Sequence, residues 1–267
     1  MPSHTQSTVD IRGCRINLLR GGPSSPGKGG EPLLFLHGAS GGGIWHPFLD
    51  RLAERFDVIA PEHPGYGRSD TPDWLDTIGD LAYFYLDVLA ALELRRVHLV
   101  GLSIGGWIAA ELAVRSTARL KTVTLVSAAG IFVPGVPQVD TFLQNGEERL
   151  RDFFHDQSLA DKLIAQVLSP EMADIALKNR FTTAKLVWQP RGYNPHLQKW
   201  LHRVDVPSLI LWGASDRLFP VAYAHEFHRL IPGSRVVVIP DCGHLPNIEK
   251  PTEFVETISG FAAGVRS

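Results

Sequence analysis

A single serine stands between two glycines in Gly101-Leu102-Ser103-Ile104-Gly105, where the apolar run Val97 to Val100 gives way to the helix formers Ile104 to Arg115. A serine hydroxyl is a poor nucleophile near neutral pH unless an imidazole takes its proton, and the imidazole needs a carboxylate to hold its tautomer and stabilise its charged form. Of the eleven histidines, His244 is the best base, because it lies in DCGHLPN directly after the apolar run RVVVIP. Asp216, in LILWGASDRLFP, follows another apolar run and completes the chain order Ser, Asp, His. Asp241 is a rival acid, but three residues of separation in a turn more often give a local hydrogen bond. The run that ends in SAAG at Gly130 offers no acid. The chemistry these residues point to is acyl transfer through a covalent serine intermediate.

Such a serine must be presented on a sharp strand-to-helix turn, where bulky side chains two residues to either side would collide. That requirement accounts for Gly101 and Gly105, and it predicts a positive φ at Ser103. Gly106 lets the following helix pack close to the sheet. Acyl transfer also places negative charge on the former carbonyl oxygen, and a preorganised N–H donor there is worth about 3 kcal/mol in kcat. The Ile104 amide is one candidate, at a helix N-terminus. The other is Ala39 in HGASGGG, after the run LLFLHG, with His37 bracing this loop rather than moving protons.

The elements that would hold these residues alternate between short apolar runs and segments of helical period, the pattern of a mostly parallel twisted sheet with helices on both faces. Strands are predicted at 31–37, 57–60, 96–102, 120–127, 208–212 and 235–239, and helices at 44–55, 78–92, 104–115, 221–230 and 252–262. Val9 to Leu19 reads as an edge hairpin, and the GGPSSPGKGG stretch from Gly21 as a surface loop. Residues 131–203 break the alternation with helical period alone. They are too long for a connector and read as an inserted helical lid, with 1–130 and 204–267 forming the core.

These motifs resemble those of the α/β-hydrolase superfamily: LHGAS for the oxyanion loop, PEHPGYGRSD after the next strand, GLSIGG for the nucleophile elbow, GASDRLFP for the acid and CGHLPNIEKP for the histidine. The resemblance covers the chain outside residues 131–203. It implies an α/β-hydrolase fold, a Ser103, Asp216 and His244 triad, a lid between the sixth and seventh strands, and no cofactor. Within the superfamily, GASDRLFP and HGASGGGIW are similar to the meta-cleavage product hydrolases, which cut carbon–carbon bonds in vinylogous diketone acids after a ketonisation step. Leu102 and Leu245 depart from the asparagine and tryptophan usual at those places. Arg180 in LKNRF could take the place of the lid arginine that binds the substrate carboxylate. The related epoxide hydrolases and haloalkane dehalogenases use an aspartate nucleophile, which Ser103 argues against. Trp107, Trp188, Phe132 and Phe219 are candidates for a substrate pocket or for the core.

The chain has 267 residues, 44% hydrophobic and 20% charged, with a formal net charge of −2. One large core is affordable at that length, and no field favours nucleic acid. The start, MPSHTQSTVD, lacks a basic n-region and an apolar h-region, and no apolar run reaches the roughly 18 residues of a membrane span. The expectation is a soluble, unexported, cytoplasmic protein. Cys14 and Cys242 are too few for a disulfide framework and read as structural thiols. Gly38 and Gly43 have phosphate-loop separation, but Ile44 stands where a lysine is needed. HEFH at 225–228 is one residue short of a zinc motif, so no metal is expected. The reading is therefore a hydrolase of a small or medium hydrophobic ester. Carbon–carbon bond hydrolysis is one alternative, and a non-catalytic ligand receptor on a hydrolase shell is another.

Overall fold

A computed structural model describes residues 4–23 and 30–265. The surface-loop expectation for residues 24–29 lies outside the described residues.

Eight strands form one sheet in the order β1-β2-β4-β3-β5-β6-β7-β8. They are β1 (His4–Ile11), β2 (Cys14–Gly21), β3 (Glu31–Leu36), β4 (Phe56–Pro61), β5 (Val97–Leu102), β6 (Leu120–Val126), β7 (Ser208–Gly213) and β8 (Arg235–Ile239). The β1–β2 hairpin lies at the edge, and β2 joins β4 antiparallel; every other pairing is parallel. The hairpin begins at His4, earlier than the alternation at Val9 foretells, because β1 is mostly exposed and carries no buried face to mark it.

Parallel strands need crossover connections, and these supply the helices except the last two, which follow the last strand. The helices are α1 (Pro47–Ala53), α2 (Ile78–Ala91), α3 (Ile104–Arg115), α4 (Gly146–Phe153), α5 (Gln157–Ile164), α6 (Pro170–Val187), α7 (Ala222–Leu230), α8 (Pro246–Glu249) and α9 (Pro251–Ala263). Side chains alternate across the sheet, as the pleat requires. Leu34, Leu36, Leu99, Val123, Leu125 and Trp212 join one core with α2, α3 and α7. Leu33, Phe35, Val100, Val126, Leu209 and Leu211 join a second core with α1 and α9. Helix α1 starts three residues later than the pattern from Ile44 implies, because Pro47 fixes the first helical turn.

Between β6 and β7 the chain carries α4, α5, α6 and two short 3-10 turns, Leu197–Lys199 and Leu201–Arg203. Helix α4 starts with a capping box in which Asn145 and Glu148 exchange hydrogen bonds. Asp156 and Ser169 cap α5 and α6. Among the described residues no helix is long and apolar enough to cross a membrane, and no cluster of His, Cys, Asp and Glu could hold a metal. His225 and His228 are exposed on α7, and Glu226 pairs with Arg229. Both cysteines are buried and free, and burial pushes the Cys14 thiol up to about 11.

Candidate active site

Ser103 leaves the C-terminal end of β5 with φ 55° and ψ −116° and opens α3. That conformation is strained for a residue with a side chain, and the surroundings fix it. The Ser103 N–H donates to Val126 O at 2.9 Å, while its carbonyl accepts from Trp107 N–H and Ala129 N–H. The flanking glycines are imposed by contact: a Cβ on Gly101 would lie 2.5 Å from Gly105 C, and one on Gly105 would lie 2.6 Å from His37 O. The sharp turn expected from the sequence is present, with glycine where nothing larger fits.

His244 and Asp216 meet at the ends of neighbouring strands β8 and β7. The His244 Nδ1 and the Asp216 Oδ2 are 2.9 Å apart, with both side chains buried. The other carboxylate oxygen, Oδ1, accepts from Leu218 N–H at 2.9 Å and Phe219 N–H at 3.0 Å. Asp216 is thus held as an acceptor on both oxygens, so the proton on His244 Nδ1 belongs to that bond and Nε2 is left free to accept. The rival Asp241 is 78% exposed and faces His155 at 3.8 Å instead. Ser103 and His244 border the same cavity, of about 680 Å³. Among the described residues, the Ser103 hydroxyl makes no hydrogen bond to His244, a contact that in such sites commonly tightens only in the Michaelis complex.

Ala39 and Ile104 also border the cavity. The turn that carries Ala39 is closed by Gly41 N–H donating to Gly38 O at 3.1 Å. His37 Nδ1 donates to the same carbonyl at 2.7 Å. A trans peptide points its C=O and N–H in opposite directions, so fixing Gly38 O also fixes the direction of the Ala39 N–H. The His37 tautomer follows from its neighbours: His63 N–H points at His37 Nε2 at 3.0 Å, which must accept, leaving the proton on Nδ1. His63 Nε2 returns a bond to His37 O, and its Nδ1 faces Tyr85 OH. Burial pushes the His37 pKa down to about 4, and that of His63 well below its ordinary value. The bracing role expected for His37 is the geometry found. His98 is a sheet residue, between Thr122 and Glu31.

Much of the remaining cavity wall comes from 131–203, joined by the acid loop, α1, α3 and the segment after His244. Trp107, Phe132, Phe219 and Arg180 line it. Phe219 and Phe153 lie against the His244 ring, each with centroids 5.7 Å apart. Trp188 does not line it, a correction to the sequence expectation: it packs against Phe142 and under the Arg191 guanidinium, and remains 53% exposed. Sequence reasoning missed Arg149, which lines the cavity from α4. Burial and the neighbouring Arg180 charge hold its pKa below the usual guanidinium range. It also missed Phe153, whose carbonyl accepts from His244 N–H at 2.8 Å, and Asn179, a buried polar residue of α6. The signal for Asn179 was present in Asn179, Thr182 and Thr183, spaced to share one helix face.

Residues 31–251 match the family described as alpha/beta hydrolase fold. The chain is similar to 2-hydroxy-6-oxo-2,4-heptadienoate hydrolase of Pseudomonas putida, 26% identical over 88% of this chain and 90% of that one. It is equally similar to 3-oxoadipate enol-lactonase 1 of Acinetobacter baylyi, 26% identical over 84% of this chain and 85% of that one. Among solved structures, a bacterial membrane phospholipase A superposes with a TM-score of 0.81 at 26% identity, covering 99% of this chain and 87% of the other.

Proposed function

The chain belongs to the α/β-hydrolase family and is a hydrolase of that type, and on this premise we propose that Ser103 is its nucleophile, acting on a carboxylic ester of small or medium hydrophobic acid. The observation that carries the reading is the buried Asp216–His244 pair bordering one cavity with a strained, glycine-flanked Ser103. In the reaction, Ser103 Oγ attacks the acyl carbon while His244 Nε2 takes the hydroxyl proton. Asp216 steadies the resulting imidazolium through Nδ1–H. The Ala39 and Ile104 N–H groups meet the oxyanion. Collapse breaks the acyl–oxygen bond, and His244 returns the proton to the leaving alcohol. Water, deprotonated by His244, then releases the acid from Ser103.

Residues 131–203 are the lid in this reading, since α4 and α6 contribute Arg149, Ala176 and Val187 to the cavity. Leu102, Leu245, Phe35 and Phe48 favour an apolar acyl group. A second reading, carbon–carbon bond hydrolysis, is favoured by one observation. Arg149 and Arg180 both border the cavity, and neither has a carboxylate within ion-pair distance among the described residues, whereas Arg191 is paired with Asp140. An acid group on the substrate would supply the missing partner in either chemistry. A receptor on a hydrolase shell needs a disarmed or sealed serine, and Ser103 instead borders a cavity large enough for a ligand.

The test is intact-mass analysis after incubation with a fluorophosphonate, beside Ser103→Ala. A single adduct lost in the variant, with turnover of p-nitrophenyl esters falling by about 10⁴-fold or more, is the expected result. Folded protein that forms no adduct overturns the assignment.

A further inference from the structure

Helix α6 meets the oxyanion loop through one buried amide. Asn179 Nδ2 donates to Ser40 O at 2.9 Å, and its Oδ1 accepts from Gly67 N–H at 2.8 Å; the residue is 3% exposed. Ala39 and Ser40 are the two central residues of the Gly38–Gly41 turn. His37 fixes the first peptide plane of that turn through Gly38 O, and Asn179 fixes the third through Ser40 O. Gly41 has φ +102°, and a Cβ there would lie 2.5 Å from Asn179 Nδ2, so the loop approaches the amide more closely than any side chain permits.

Docking of α6 does not by itself need this contact. Thr182 Oγ1 donates to Gly65 O at 2.6 Å, and Lys178 Nζ donates to Gly67 O and Ser69 O at 2.9 and 2.6 Å. Those bonds hold the helix to the loop after β4 and leave residues 38–43 untouched. Asn179 alone among these three spans both loops.

We propose that Asn179 is a positioning residue: through Ser40 O it ties the aim of the Ala39 N–H to the seating of helix α6, so that the oxyanion site is complete only while the helix is docked. The inference rests on the proposed role of Ala39 as an oxyanion donor. Asn179→Asp keeps the acceptor for Gly67 N–H and removes the donor to Ser40 O, and so isolates the link. Thr182→Val removes a neighbouring clamp of α6 without touching the oxyanion loop, and serves as the structural control.

The experiment combines p-nitrophenyl butyrate kinetics with backbone hydrogen exchange of residues 36–45 for wild type, Asn179→Asp and Thr182→Val, with Ser103→Ala as the zero. The expected result is a kcat about 10- to 100-fold lower in Asn179→Asp, as for a reacting group displaced by an ångström or less. KM should stay within about twofold and exchange at 38–43 should be faster, with neither change in Thr182→Val. A kcat within twofold of wild type, unchanged exchange at 38–43, or an equal kcat loss in Thr182→Val overturns the proposal. Wild type without ester turnover would refute the ester reading instead, and the exchange comparison alone would then decide whether Asn179 orders the loop.

Discussion

Helices α3 and α6 border the same cavity and bury opposite kinds of surface. Helix α3 is buried nearly all round, from Ile104 to Val114, and its glycines let it press on the sheet. Helix α6 turns Asn179, Thr182 and Thr183 inward and leaves Leu177 and Phe181 68% and 70% exposed. The difference follows from what each packs against. The strands beneath α3 already pair their peptide groups in ladders, so only apolar contact is left to make. The loop 62–70 beneath α6 has peptide groups without strand partners, and a buried face there must supply donors and acceptors. The elbow side of the site is therefore set by backbone and steric contact, and the helical side by individual polar bonds.

The largest effect expected on the elbow side comes from Asp216→Asn. The backbone N–H groups of Leu218 and Phe219 would hold the amide oxygen where Oδ1 now lies, turning the NH₂ toward His244. That forces the His244 proton onto Nε2, the atom that must accept from Ser103. A kcat about 10⁴-fold lower with little change in Tm is expected, and a loss under tenfold would mean that another acid serves His244.

Steric tolerance separates the two helices next. Gly105→Ala puts a methyl into Leu36 O and His37 O, backbone atoms of β3 and its loop that cannot rotate away, and should cost about 3 kcal/mol or more in urea unfolding. Thr182→Val on α6 removes one hydrogen bond and should cost about 1 kcal/mol. Equal losses would remove the distinction between a steric and a polar wall.

The bracing histidines give the elbow side a pH dependence of known sign. His37 titrates at about 4 when folded and near 6.5 when unfolded. Between those values the unfolded chain binds more protons, so stability rises with pH; it is complete above about 6.5 and is lost as pH falls toward 4. His63, lowered by the same burial, adds to the slope. His37 alone accounts for about 3 kcal/mol over that window. Urea midpoints from pH 7 to 4 in wild type and His37→Gln should differ in slope by close to one proton, and parallel slopes would show that His37 is not buried neutral.

The same contrast explains what could be read from the sequence. The strands from 31 to 239 and the helices on the sheet were legible within a few residues, because a buried parallel strand is apolar on both faces and its boundaries carry glycine and proline. The placement of Ser103 and His244 on one cavity, with Asp216 beside His244, was legible because each follows such a strand. The helical character of residues 131–203 was legible from its period, but the start of α6 at Pro170 and its inward face were not: Leu177 and Phe181 advertise a burial that the polar loop reverses. Trp188 failed for a related reason, since the partners of its ring, Phe142 and Arg191, occupy the cavity wall in its place. Arg149 carried no local signal at all, being one of several charges in Glu147 to Arg151.

The smallest effect belongs to the helical wall and concerns choice of substrate rather than rate. Arg149 is half-buried and Arg180 exposed, and neither has a carboxylate partner among the described residues. A desolvated guanidinium binds an acid group more strongly than one in water, where side-chain entropy and salt reduce the gain. For an ester bearing a terminal carboxylate, such as p-nitrophenyl hemisuccinate, Arg149→Gln should raise KM by about tenfold and Arg180→Gln by about threefold. Only the second effect should fade at high salt. The neutral p-nitrophenyl butyrate should change by less than twofold with either variant. Equal changes for both substrates would make the arginines part of the wall rather than an acid site, and would leave the apolar ester as the better reading of the pocket.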